Sequence, residues 1–184
     1  MPADTARSRF GRHARPLVLL FCLLPLTASA AVVHDRGLGF SIDLPPRWKL
    51  TYRELSAPDR SRAWIPSRRT DADRGRARIE VERRRHPGAR KLEREIRRRG
   101  KELTAPLRIR TFPRPNHTEL TLVEYRDGSY DRSGAWLVNR YLLAYLPVDG
   151  KTLLVARCQA AETDFALYRA QLEKSCLSLS ALPR

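Results

Sequence analysis

Three apolar stretches late in the chain, residues 118–125, 135–146 and 152–158, restrict the fold more than any other feature. Each is rich in strand formers, and the joins between them are short. Asp127-Gly128 opens the first join, and Pro147-Val148-Asp149-Gly150 turns the second. Such short connections leave no room for the crossover that parallel neighbours require, so these strands must run antiparallel. Upstream, Ala77, Ile79 and Val81 alternate with Arg78, Glu80 and Glu82, the period-two pattern of a half-buried strand with its carboxylates in water.

The first thirty residues belong to a different problem. Arg7, Arg9, Arg12 and Arg15 precede an apolar run of eight, residues 17–24, which Pro25 breaks before Ala28-Ser29-Ala30. That is the layout of a cleavable secretory signal peptide, with cleavage after Ala30 and a mature chain of residues 31–184. Eight apolar residues are too few to cross about 30 Å of hydrocarbon. Phe21 before Cys22 disfavours a lipid anchor. The mature chain has the length of one domain, and a periplasmic or secreted location is expected.

Within it, residues 31–34 and 40–44 read as a hairpin about Gly37 and Gly39, with Phe40, Ile42 and Leu44 on one face. Pro45-Pro46 ends it, Trp64-Ile65 is a short strand, and the polar residues 68–75 are a loop. A helix follows Pro87-Gly88. Leu92, Ile96 and Leu103 form its narrow apolar stripe, and Gly100 is placed to end it a turn early. Residues 107–112 are a weak strand. A last helix, capped by the Thr163 hydroxyl, turns Phe165, Tyr168, Leu172 and Cys176 inward. The order is α+β, an antiparallel sheet covered by helices.

The block Gly39-Phe40-Ser41-Ile42-Asp43-Leu44-Pro45-Pro46-Arg47-Trp48 resembles the opening of the PsbP-like and DcrB-like family, whose domains begin with a "GFSIxxPxxW" strand and turn. The order of later elements agrees, down to Leu177-Ser178-Leu179 in the final helix. The resemblance implies an α/β/α sandwich and a non-catalytic role, as an extrinsic subunit, envelope protein or adaptor. The family usually places Gly before the tryptophan. Here Arg47 stands there, which costs the turn freedom wherever φ must be positive.

Little in the chain advertises chemistry. His34, His86 and His117 have no ligand-like spacing, so no metal or cofactor is expected. Asp127 to Ser133 imitates a calcium loop, but Arg132 and Val138 occupy its glycine and glutamate positions. Asp71 and Asp73 sit among arginines, which favours plain carboxylates over a general acid. Trp48, Trp64 and Trp136 read as core more readily than as a ligand platform.

Surface charge is more telling. The formal charge is +16, and still +13 without the four arginines and one aspartate of the first thirty residues. Arg83, Arg84 and Arg85 precede the helix, and Arg90, Arg94, Arg97 and Lys101 lie on it opposite Leu92 and Ile96. Together they read as one outward cationic ridge. Glu93–Arg97 and Glu95–Arg99 spacings would also suit an ordinary solvated helix. The expected partner is an envelope protein or an anionic surface, including peripheral contact with a membrane; nucleic acid is not expected outside the cell. A polyanion or anionic-lipid binder without a dedicated protein partner, and a loop-based hydrolase, are the competing readings. Finally, Cys158 and Cys176 are the two cysteines left after processing. Cys158 shares a strand face with Leu154 and Ala156, and Cys176 lies on the buried stripe of the last helix. If that helix packs on that face, the pair closes a disulfide.

Overall fold

The computed structural model describes residues 31–52, 55, 57–67, 77–102, 107–115, 118–130 and 134–183. The expected signal peptide and the polar segment 68–75 lie outside the described residues.

The strands are β1 (Ala31–Asp35), β2 (Phe40–Leu44), β3 (Trp48–Thr51), β4 (Ser61–Pro66), β5 (Arg78–Arg85), β6 (Arg108–Pro113), β7 (Glu119–Tyr130), β8 (Trp136–Pro147), β9 (Thr152–Ala161) and β10 (Ser180–Ala181). Helix α1 (Ala89–Glu102) follows β5, and α2 (Phe165–Ser178) follows β9. Two sheets form, both antiparallel throughout. The larger has the order β3-β4-β5-β9-β8-β7-β6, and the smaller β1-β2-β10.

Period-two alternation sorts the side chains of the large sheet into two cores. Phe40, Ile42, Ile79, Leu142, Ala156 and Leu172 lie between it and the layer formed by α2 with the small sheet. On the opposite face Leu92 and Ile96 of α1 pack on Val123, Tyr125, Leu143, Tyr145 and Leu153. The protein is therefore α+β, as expected, with an additional small sheet beside α2.

Several local expectations are corrected. Gly100 does not stop α1, which continues to Glu102. Asp127-Gly128 does not open a connection, because β7 runs on to Tyr130 and pairs Gly128 with Val138. A Cβ at Gly128 would collide with the Trp136 ring, so glycine here seats an aromatic within a ladder. That takes the first half of the calcium-like segment into a strand; residues 131–133 lie outside the described residues. Trp64 is core and meets Phe40 edge-on, and half-buried Trp48 meets Tyr168 the same way. Trp136, by contrast, is 56% exposed and paired with exposed Tyr130. Glu80 is buried rather than solvated, because the second face of β5 is covered as well as the first, and Arg78 holds it at 3.2 Å. Asp164, not Thr163, occupies the N-cap of α2, and the Thr163 hydroxyl donates instead to the Asp164 carboxylate at 3.1 Å.

The turn after β2 shows the cost of the Gly-to-Arg departure directly. Arg47 has φ 64, the one positive value among described non-glycine residues, and its side chain is exposed. A left-handed L-residue costs about 1–2 kcal/mol, while glycine loses about 0.5–1 kcal/mol through the unfolded chain. Arg47→Gly should therefore stabilise the protein, by up to about 1 kcal/mol, or about 2–4 °C in thermal melting. A lowered melting temperature would show that Arg47 makes a contact worth more than the backbone strain.

On the α1 face, Tyr125 and Tyr141 stack at 4.8 Å between ring centroids. Burial raises the Tyr141 pKa above its ordinary 10.0, reinforced by Tyr125 and Asp127 and opposed by Arg157 and Asn139. A raised pKa keeps this phenol protonated in the folded chain after the unfolded chain has lost its proton. Stability from this group is thus complete below about pH 10 and lost as pH rises beyond it. Thermal melts between pH 8 and 11.5 should show that decline, and Tyr141→Phe should make it shallower. An unchanged slope would remove Tyr141 as a contributor.

Candidate functional site

Where the seven ridge residues lie follows from two periodicities. On α1 the 3.6-residue repeat turns Arg90, Arg94 and Arg97 outward while Leu92 and Ile96 are buried. Arg97 binds the Glu93 carboxylate at 2.8 Å, the expected i, i+4 pair. Arg90 and Arg94 have no carboxylate partner among the described residues. The side chain of Lys101 lies outside the described residues. Glu95 reaches down to Arg84 at 3.1 Å; the side chain of Arg99, its expected helical partner, lies outside the described residues.

The three arginines of β5 do not continue that ridge as one surface, because a strand sends neighbouring side chains to opposite faces. Arg84 points to the α1 side, where it binds Glu95 and lies 5.8 Å over the Tyr145 ring. It is a strut beneath the helix. Arg85, opposite Thr152, is exposed at the strand end. Arg83, opposite Leu154, faces the small sheet instead.

There Arg83 enters a groove of about 1040 Å³ at one end of the layer between the two sheets. Two turns shape it. In the β1–β2 turn Gly39 N donates to Asp35 O at 2.7 Å and Leu38 N to the Asp35 carboxylate at 2.8 Å. Gly39 has φ 74, and a Cβ added to it would stand 3.4 Å from Arg83 Nη1. In the β8–β9 turn the Asp149 carboxylate accepts from Lys151 N and Thr152 N at 2.7 and 2.6 Å. The C-terminal segment closes the wall, where Leu182 N donates to Gly39 O at 3.0 Å. His34 and Arg36 line the same groove. A smaller cleft of about 620 Å³ lies between α1 and the β6–β7 pair, floored by Leu92 and Ile96.

A buried cluster absent from the sequence reading sits between β7, β8 and α2. Glu124 is 7% exposed and lies between Arg140 at 3.8 Å and Arg169 at 3.4 Å. Arg140 also binds Glu162 at 3.1 Å and covers the Phe165 ring. Its partners on β7, on the β9–α2 turn and on α2 make it a tie between α2 and the sheet. Separations of 16 and 45 residues along the chain left no local signal for it.

Cys158 and Cys176 converge as the periodicity anticipates. Both are fully buried, at disulfide distance, with Cα atoms 6.4 Å apart.

No family model matches the chain, and no curated protein matches it. Solved structures do. The solution structure of cyanobacterial PsbP (CyanoP) from Synechocystis sp. PCC 6803 aligns with TM-score 0.55, over 84% of this chain and 93% of that one, at 12% identity. The fold is PsbP/Mog1-like. The Ran-binding protein Mog1p of Saccharomyces cerevisiae aligns with TM-score 0.52, over 85% of this chain and 97% of that one, also at 12% identity. These likenesses support the PsbP-like side of the resemblance carried by residues 39–48 and not the DcrB-like side. At such identity a PsbP/Mog1-like fold carries no activity with it.

Proposed function

We propose that the chain is exported, is cleaved after Ala30, and acts as a single non-catalytic domain that binds an anionic patch on another envelope macromolecule, as an accessory subunit or adaptor. One observation carries this reading. Arg90 and Arg94 stand exposed on α1 with no carboxylate partner among the described residues, beside Arg97, on the side of the helix away from its core contacts. Guanidinium forks so displayed suit carboxylate or phosphate recognition. The buried, disulfide-ready cysteine pair fits an oxidising compartment. Mog1p, described as Ran-binding, supports a protein partner for a surface of this fold in general terms.

A pull-down from envelope extract with the processed protein tests it. Reversing Arg90, Arg94 and Arg97 to Glu should abolish recovery of the partner while moving the melting temperature little, since all three side chains are exposed. Equal recovery at physiological salt would reduce these arginines to a solvated helix face. Binding that collapses with salt, and that heparin displaces completely, would favour a bulk polyanion binder over a defined interface.

A further inference from the structure

We propose that the groove between the β1–β2 turn and the β8–β9 turn binds a single-chain amphiphile with a phosphate head. Its basic groups are in excess of free acids. Arg83 is half-buried and lines the groove, and among the described residues its side chain makes one hydrogen bond, from Nη1 to Leu38 O at 3.3 Å. Neither Arg83 nor Arg36 has a carboxylate partner among the described residues, and His34 adds a third basic side chain. The nearby acids are occupied. Asp35 binds Arg62 at 3.1 Å and the Leu38 amide, and Asp149 holds the β8–β9 turn. Half-burying a guanidinium without a counter-charge is unfavourable unless an anion completes it.

The remaining walls decide the rest of the ligand. Buried Leu38 and Leu154 form the floor, with Val148, Leu182 and Pro183 at the sides. Basic and apolar side chains lining one groove match a charged head on an apolar chain. A bulk polyanion would find flatter purchase on α1. The volume is that of a small-molecule site, and a fork beside apolar walls holds phosphate more strongly than one in open water.

The test is an amide-resolved NMR titration of isotope-labelled protein, purified after export, with decyl phosphate below its micelle concentration. Inorganic phosphate and neutral decyl maltoside serve as comparison probes. Decyl phosphate should shift the amides of Leu38, Gly39, Thr152 and Leu182, and each comparison probe should bind at least tenfold more weakly. Arg83→Met should lose about tenfold to a hundredfold in affinity, the worth of a charged hydrogen-bonding group. Arg36→Ser, at an exposed site, should lose at least threefold and decides the matter if Arg83→Met fails to fold. The Glu triple variant of α1 should bind decyl phosphate normally, which separates this site from the partner surface. Unchanged affinity in folded Arg36→Ser or Arg83→Met overturns the proposal. So do shifts confined to α1, or comparison probes that bind as tightly as decyl phosphate.

Discussion

Replacing Cys158 and Cys176 by Ala should lower the stability of the domain by about 3 kcal/mol, or about 6–12 °C in thermal melting. The bond would close a loop between positions 18 residues apart, tying the middle of β9 to the last turn of α2. The Cα separation of 6.4 Å lies within the span a disulfide bridges. Most of the effect arises in the unfolded chain, which the crosslink deprives of conformations. Two free thiols would pack in the same places as small apolar groups, so stability alone is not decisive. Denatured, non-reduced protein recovered from the envelope should offer no cysteine to a thiol reagent. Two labelled thiols per chain would rule the bond out, and the double variant would then lose only the packing of two sulfurs.

Phe40→Ala should have a larger effect still, about 3–5 kcal/mol. Phe40 is fully buried on β2, 6.3 Å from Trp64 and edge-on to it, with Ile42 fully buried two residues along. Its removal opens a cavity at the contact between the small sheet and the large one. Chemical denaturation of the variant against the parent measures it, and a loss under about 1 kcal/mol would mean that β2 is not anchored as described. This expectation gives the residue block 39–48 a physical meaning. Phe40, Ile42 and Leu44 dock one sheet on another, and Gly39 leaves space beside the Arg83 fork. The block marks a fold.

What could be read along the chain was whatever repeats locally. The alternation of Ala77, Ile79 and Val81 located β5, and the spacing of Phe165, Leu172 and Cys176 turned α2 the right way round. The partner of each element was less visible. Glu80 looked like the polar side of a half-buried strand, yet that side, shared with Arg78, is buried as well. Arg83, Arg84 and Arg85 looked like one patch because they are adjacent in sequence, and pleating divides them between two faces. Gly128 carried the signature of a turn, since nothing local reveals that a tryptophan eight residues later will lie on it. The groove was least legible of all, being assembled from β1, β5, the β8–β9 turn and the final residues.

The small sheet joins the beginning of the described chain to its end. Ser41 and Ser180 share a hydrogen bond at 2.8 Å, the Ser178 hydroxyl accepts from Asp43 N at 2.8 Å, and Leu179 is fully buried among them. Those contacts span 139 and 135 residues. A chain emerging N-terminus first therefore makes its opening hairpin long before the strand that flanks it exists. Until α2 and β10 arrive, β2 keeps an open edge and Phe40 lacks part of its cover. Contacts of such separation form slowly, because a long loop must close before they are rewarded. The small sheet is thus completed only when nearly the last of the described residues is available.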